Sequence, residues 1–168
     1  LSSEIAKALI EIGYEVPQLA NDARGYRIEA YDISNTNGVD SVGAMVVFEG
    51  AKPVKKDYRR FKIKTIEGPN DYASLQEVIY RRFRRAEAGD SGFSHLPDFL
   101  FMDGGQGQVT AVQQILKAMK IDIPVVGMTK EDHHRTRALV SGDGREAALA
   151  GRNLLFKYVG TVQEEVHR

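Results

Sequence analysis

The sequence predicts an α/β fold in which a mixed β-sheet is flanked by helices. Three strand-like stretches joined by short turns come first, and strand and helix patterns alternate after them. Consecutive strands with short turns form an antiparallel meander, whereas strands joined through a helix run parallel. The order β-β-β-α-β-α-β, followed by a hairpin and a last helix, therefore predicts a five-stranded sheet that is antiparallel on one side and parallel on the other.

The composition is that of one soluble globular domain. The 168 residues are 42% hydrophobic and 27% charged, which is enough for a sizeable core. No apolar stretch reaches the roughly 18 to 20 residues of a membrane span, and no leader resembles a signal peptide, so we expect a cytoplasmic protein without membrane contact. Because the chain has no cysteine, any metal must be held by oxygen or imidazole ligands.

The first part of the chain divides into a lead-in and a domain. Apolar side chains recur at helical spacing over residues 3–13, and residues 14–25 read as an irregular lead-in. We therefore expect an N-terminal helix and lead-in over 1–24 and a domain over 25–168 that is truncated at its last helix. The first three strands are predicted at residues 27–33, 41–48 and 58–63.

The rest of the chain supplies the helices and the central strands. Asn70 can cap a helix that runs to about residue 86. The continuous apolar run over residues 99–102 predicts a strand buried on both faces. Further helices are predicted at 109–120 and 153–168, a strand at 124–128, and hairpin strands at 136–140 and 145–149. This order matches the ribonuclease H-like arrangement.

Two aspartates stand where a carboxylate is costly. Asp32 shares a strand face with Ile28 and Ala30, and Asp103 ends the apolar run before two glycines. If the two strands are neighbours, both carboxylates converge at one edge of the sheet, where paired oxygen ligands attract Mg²⁺ or Mn²⁺. The alternative makes Asp32 a turn former and Asp103 a helix cap.

Other polar motifs carry weaker signals. His167 follows Glu164 by one helical turn, so the pair can contact a metal or orient a water, although a histidine at a helix end is more often inert. The glycine-rich residues 104–108 can cradle a phosphate or only allow a tight turn, and they lack the ending of a P-loop. His133 and His134 read as part of a solvated loop.

Basic residues are concentrated in two places despite a net charge of zero. Such clusters bind phosphates, although basic residues in the last turn of a helix also stabilise its dipole. The first cluster surrounds the third predicted strand and consists of Lys52, Lys55, Lys56, Arg59, Arg60, Lys62 and Lys64. The second lies near the end of the first long helix and consists of Arg81, Arg82, Arg84 and Arg85.

Six motifs, taken in order, closely resemble the C-terminal endonuclease region of the UvrC family, which makes the incisions in bacterial nucleotide excision repair. The resemblance spans about residues 25–168. The motifs are RIEAYDIS from Arg27, DYRRF from Asp57, NDYA from Asn70, FMDGGQGQ from Phe101, VVGMTK from Val125 and QEEVHR from Gln163.

The resemblance implies a ribonuclease H-like nuclease that cuts damaged double-stranded DNA 5′ to the lesion. Its catalytic and metal-binding triad falls on Asp32, Asp103 and His167, with Mg²⁺ or Mn²⁺ as cofactor. Asp71 matches a further acidic position, which helix capping explains equally well. The family's UvrB-binding segment and second nuclease domain would precede this region, and a helix-hairpin-helix domain would follow it. The residues expected to hold DNA phosphates are Arg59, Arg60, Arg81, Arg82, Arg84, Arg85 and Lys130.

Two other functions fit the same fold. The chain can be a non-catalytic ribonuclease H-like module that binds nucleic acid or a protein, although retention of both aspartates and His167 argues against this. A nucleotide-hydrolysing α/β domain is the third possibility, and the absence of a P-loop lysine argues against it.

Overall fold

The structure, a computed structural model, describes residues 1–19, 23–36, 40–66, 68, 70–130 and 137–168. Its strands are β1 Arg27–Thr36, β2 Asp40–Glu49, β3 Lys52–Pro53, β4 Arg59–Lys62, β5 Phe99–Met102, β6 Val125–Lys130, β7 Arg137–Val140 and β8 Glu146–Ala148. Its helices are α1 Ser2–Glu11, α2 Asp71–Glu87, α3 Gln106–Ala118 and α4 Asn153–His167.

The strands form one mixed sheet in the order β3-β2-β1-β5-β6-β7-β8, and β4 also pairs with β2. β1 runs antiparallel to β2 and parallel to β5, and β5 runs parallel to β6. The predicted α/β fold with a mixed sheet is therefore confirmed. The described part of the sheet has eight strands rather than five, because the hairpin β7–β8 continues the sheet from β6 and β3 adds a two-residue strand.

Alternation along the strands gives the sheet two buried faces. On β1, Ile28 and Ala30 face the core beneath α1 and α4, whereas Tyr31 faces the core beneath α2 and α3. Every residue of β5 is buried, as the apolar run predicts for a central strand. Helices cover both faces, so a carboxylate on either face of β1 must find a partner within the fold.

Helix α1 packs onto the same core as the sheet. Its side chains Ile5, Ala8 and Leu9 are fully buried against it. Glu4 accepts a hydrogen bond at 3.1 Å from the backbone N–H of Leu155, in the first turn of α4. Helix α1 therefore helps to fix the position of α4.

Helix α2 begins as the sequence predicts, with the Asn70 side chain accepting from the Ala73 N–H at 3.1 Å. The structure describes no helix that is long and apolar enough to cross a membrane. His133, His134 and the middle of the predicted turn after β1 lie outside the described residues.

Candidate active site

Asp32 and Asp103 lie side by side where the parallel pairing of β1 with β5 ends, Asp32 within β1 and Asp103 just after β5. Tyr31 of β1 is paired with Met102 of β5, and the Asp103 N–H donates to the Tyr31 carbonyl at 3.0 Å. Asp32 continues the face of Ile28 and Ala30, which is the face that α4 covers. The pairing of β1 with β5 thus brings the two carboxylates together beside the carboxyl end of β5, as the sequence predicts.

His167, in the last turn of α4, contacts both aspartates. Its Nδ1 lies 3.1 Å from Asp32 Oδ2, and its Nε2 lies 2.7 Å from Asp103 Oδ2. One potential ligand atom from each of the three residues lies within 4.8 Å of the other two. Glu164, which the sequence pairs with His167, is exposed and lies outside this group.

The two aspartates are not explained by local structure. Helix α3 begins at Gly105, whose N–H donates to the Gln108 side chain at 3.1 Å, so the helix does not use Asp103 as its cap. Asp32 lies within a paired strand, opposite Ala44 of β2, and not in a turn. Neither the capping role nor the turn-forming role therefore applies.

The surroundings of Asp32 destabilise its charged form. Burial, and then the negative charge of Asp103, raise the pKa of Asp32 to about 6, and the nearby His167 ring lowers it only in part. The side chains of Asp32 and Asp103 are only 19% and 14% exposed, whereas that of His167 is 55% exposed. A buried pair of like charges open to solvent on one side is suited to receive a cation.

Gln163 is a site residue that the sequence did not predict. It lies one helical turn before His167, is buried, and donates from Nε2 to Asp103 Oδ1 at 3.4 Å. Its Oε1 is buried with no hydrogen-bond partner in the structure. The spacing to His167 was the available signal, because residues four apart share a helix face.

The donor set fits a divalent cation. Two carboxylates and an imidazole are ligands that Mg²⁺ and Mn²⁺ accept, and a cation would favour the charged form of Asp32 that burial and the charge of Asp103 disfavour. The site opens into a cleft of about 380 Å³ that is lined in part by Gly104, Gly105 and Thr129. Gln163 also lines this cleft, and its unpartnered Oε1 offers a further acceptor there.

Two contacts hold the last turn of α4 in place. Tyr58 donates to Glu165 Oε1 at 3.0 Å, and Arg60 of β4 donates to the Arg168 carbonyl at 3.2 Å. Both contacts flank His167 in the sequence. His167 is therefore positioned by Tyr58 and β4, which lie on the side of β1 away from β5.

Comparison with known proteins identifies the family. Residues 18–168 match the UvrC RNase H endonuclease domain. The chain belongs to this family. It is 51% identical over 155 residues to the UvrABC system protein C of Alkaliphilus oremlandii, and these residues cover 85% of this chain and 25% of that protein. The corresponding protein of Acetivibrio thermocellus is 48% identical in an alignment of 178 positions, and the alignment covers 96% of this chain and 28% of that protein. The chain thus spans about a quarter of the length of these curated relatives.

Solved structures of endonuclease V are also similar. The Ciona intestinalis enzyme, in complex with a 24mer DNA containing an inosine, aligns with a TM-score of 0.48 at 14% identity, over 79% of this chain and 55% of that chain. Human ENDOV aligns with a TM-score of 0.44 at 15% identity, over 86% of this chain and 72% of that chain.

Asp71, the further acidic position of the family, lies apart from the Asp32 group. It is the first residue of α2, and its Oδ1 accepts a hydrogen bond from Asn35 at 3.1 Å. Asn70 supplies the cap of this helix. The carboxylate of Asp71 therefore ties α2 to the end of β1.

The basic residues predicted to bind DNA differ in how far their side chains are exposed. Arg60, Arg84 and Arg85 are exposed and able to reach a phosphate. Arg59 and Arg81 are half-buried and donate to the backbone carbonyls of Gly92 and Lys62, at 3.0 and 2.7 Å. Lys130 ends β6, and its side chain lies outside the described part of the chain.

Arg82 is not accessible to a DNA phosphate, and its prediction as a phosphate ligand is wrong. Its side chain is 1% exposed and forms two hydrogen bonds to Glu29, at 2.8 and 2.7 Å. It also donates to the carbonyls of Phe93 and His95, both at 2.8 Å. Arg82 is thus a structural cation inside the core.

Proposed function

We propose that this domain is a divalent-metal-dependent endodeoxyribonuclease centre, with Asp32, Asp103 and His167 as its catalytic residues. The observation that supports it is the convergence of these three side chains within 4.8 Å at one edge of the sheet. Family membership supports the endonuclease class. Mg²⁺ or Mn²⁺ bound there would stabilise negative charge on the scissile phosphate and activate a water for in-line attack.

The residues of the chain divide the remaining work. Asp32 and Asp103 would hold the cation, and His167 would provide a further ligand or orient the attacking water. Gln163 donates to Asp103 and so limits the rotation of that carboxylate. Arg60, which is exposed and bonded to the Arg168 carbonyl, stands at the edge of the cleft where a DNA phosphate would pass.

In the whole protein we propose that this centre makes the incision 5′ to a lesion in bacterial nucleotide excision repair. The supporting fact is identity of about half to UvrABC system protein C over most of the chain. The substrate would be damaged double-stranded DNA, and a UvrB-type partner and further domains of the protein would present it in the cytoplasm.

The test is DNA cleavage by the wild type and by D32N and D103N, with Mg²⁺ and Mn²⁺ titrated in. A matched control is D122N, which removes an exposed carboxylate near the opposite edge of the sheet, before β6. We expect the two site variants to lose at least about a thousandfold in rate while remaining folded, because the metal and the reacting phosphate lose their ligand. The control should cut like the wild type.

A second measurement is Mn²⁺ binding, followed by the electron paramagnetic resonance signal of the free ion. Wild type should bind, and both site variants should bind weakly or not at all. Cleavage by D32N and D103N at wild-type rate would overturn the proposal. Mn²⁺-independent DNA binding without cleavage by the wild type would instead support the non-catalytic module.

A further inference from the structure

A polar groove runs between helices α2 and α3. It has a volume of about 570 Å³ and is open to solvent along its length. Every described residue that lines it is uncharged. The lining residues are Asn70, Tyr72, Ala73, Gln76, Gln106, Gly107, Thr110, Ala111 and Gln114.

The groove begins where the catalytic cleft ends. Gly105 lines the cleft beside Asp103, and the next residue, Gln106, lines the groove. Gly105 precedes α3 and Gln106 is its first residue. The cleft and the groove therefore adjoin at the start of α3, so a DNA strand with a phosphate at Asp103 would have the groove next to it.

The position of Tyr72 depends on a glycine. Its phenol occupies the space that a side chain at position 107 would need, so a Cβ at Gly107 would collide with Tyr72 Oη. The ring nevertheless stays half exposed, at 50%. A large aromatic ring is thus seated on the first turn of α3 with much of its surface open to solvent.

The walls of the groove are fixed by hydrogen bonds. Gln76 Nε2 donates to the Ala111 carbonyl at 2.9 Å and to Gln114 Oε1 at 3.3 Å, which joins α2 to α3. Thr110 Oγ1 donates to the Gly142 carbonyl at 3.3 Å. A rigid groove binds a ligand with little loss of conformational entropy.

The chemistry of the lining indicates the ligand. Cations supply much of the affinity for phosphates, and the described lining has none, whereas nucleobases stack on aromatic rings and bond to amides, which the lining does offer. Stacking on an exposed tyrosine tolerates any base, because every base has a π-face. The lining therefore suits a base better than it suits the charged backbone.

We propose that the α2–α3 groove receives an unstacked base of the DNA strand next to the scissile phosphate, with Tyr72 as its stacking platform. The inference rests on the proposed nuclease function. Burial of the base would fix the strand relative to Asp32 and Asp103, so the groove is a substrate-positioning site without sequence preference.

The test compares Y72A, which removes the ring, with Y72F, which keeps it. The matched control is Y80A, because Tyr80 is 45% exposed on the same helix, about two turns further along and outside the groove. Binding of single-stranded oligonucleotides carrying 2-aminopurine is measured with Ca²⁺ in place of the catalytic metal. We expect Y72A to weaken binding about tenfold and to abolish quenching of the 2-aminopurine, since stacking is lost. Y72F and Y80A should keep both.

A second variant, G107A, displaces the ring while leaving Tyr72 in the sequence, and it should reproduce the Y72A result. Circular dichroism and melting temperature confirm that each variant is folded. Unchanged quenching and affinity in folded Y72A would overturn the groove proposal, and cleavage that still depends on Asp103 would leave the proposed nuclease function intact. Loss of cleavage dependence on Asp103 would remove the nuclease function itself.

Discussion

Strand β1 carries one buried carboxylate, Glu29, and one partly buried carboxylate, Asp32, and their surroundings are opposite. Glu29 points to the α2 and α3 face, where it is fully buried and meets Arg82 in a two-fold hydrogen-bonded ion pair. Asp32, three residues further on, points to the α4 face, where its neighbour is another carboxylate. One carboxylate is neutralised by a fixed cation, and the other is not.

The hydrogen bonds around Glu29 are complete. Its Oε1 accepts from Arg82 Nε at 2.8 Å and from the Tyr31 hydroxyl at 2.6 Å, and its Oε2 accepts from Arg82 Nη2 at 2.7 Å. Among the described residues Asp32 has no guanidinium partner of this kind, and the ring that contacts it is that of His167, whose side chain is more than half exposed. A carboxylate that keeps its own cation serves the fold, whereas one placed beside a like charge is available for function.

The largest expected effect is on the Glu29 side. Arg82→Met leaves the Glu29 carboxylate buried without a cation, so the free energy of unfolding should fall by about 3 to 5 kcal/mol. The matched control Arg84→Met, at an exposed arginine of the same helix, should change it by less than about 0.5 kcal/mol. Urea unfolding followed by circular dichroism measures both. Equal, small losses would mean that Arg82 is not the cation that balances Glu29.

Removal of the Gln163 amide, which bonds to Asp103, should lower the affinity for the metal more than it lowers the stability of the fold. Gln163→Leu keeps the approximate volume but takes the hydrogen bond from Asp103 Oδ1, so Mn²⁺ affinity should fall about tenfold or more. Isothermal titration with Mn²⁺ measures this loss, with Gln114→Leu, at an exposed glutamine of α3, as the control. If Gln163→Leu binds Mn²⁺ like the wild type, Gln163 does not position Asp103.

The Asp32 side should respond to neutralisation with a gain in stability. With EDTA present at pH 8, Asp32→Asn should raise the free energy of unfolding by about 1 to 2 kcal/mol, because the repulsion from Asp103 and the cost of burying a charge disappear.

The sign of the pH dependence follows from the raised pKa. The folded chain holds the Asp32 proton up to about pH 6, whereas the unfolded chain releases it near pH 4, so the wild type loses stability as the pH rises through this interval. The advantage of Asp32→Asn should therefore shrink below pH 6 and vanish below about pH 4. Chemical denaturation at pH 8, 6 and 4 measures it, and an advantage that does not depend on pH would contradict this origin.

The smallest effect concerns the exposed arginines that flank Arg82. Arg84→Ala with Arg85→Ala should weaken DNA binding a few-fold on every sequence and reduce the slope of log affinity against log salt by up to about 2. Fluorescence anisotropy at several salt concentrations measures the slope. If affinity and slope are both unchanged, this end of α2 is a solvated face that serves the helix dipole.

Much of the site follows from sequence because it depends on strand order. Asp32 within β1 and Asp103 at the end of β5 must meet once the strands are parallel neighbours in this register, and the apolar run of β5 places it in the centre of the sheet. Gln163 was missed, because the direction of its amide depends on how α4 docks on the sheet. The strand count was too low for two reasons. The pattern of the hairpin β7–β8 does not show that it continues the sheet from β6, and the two residues of β3 are too few for a periodic pattern.

The assignment of Arg82 was wrong although its signal was present. Position 82 is four residues after Val78 and three after Ile79, so it lies on the buried stripe of α2. The surrounding arginines concealed this pattern, since a run of basic residues at a helix end is typical of an exposed surface. Glu29, between the buried residues Ile28 and Ala30, forms the ion pair that offsets the cost of burying a cation on that stripe.

The way α4 is held makes the centre of the proposed nuclease depend on two separate packing events. Asp32 and Asp103 come together through the pairing of β1 with β5, whereas His167 joins them through the docking of α4, which contacts Glu4 of α1 and Tyr58. The triad is therefore drawn from segments that become available at different times during synthesis, and its last member comes from the last helix. A nascent or partly unfolded chain carries an incomplete centre, so the capacity to cut DNA arises together with the native state and disappears when that state is lost.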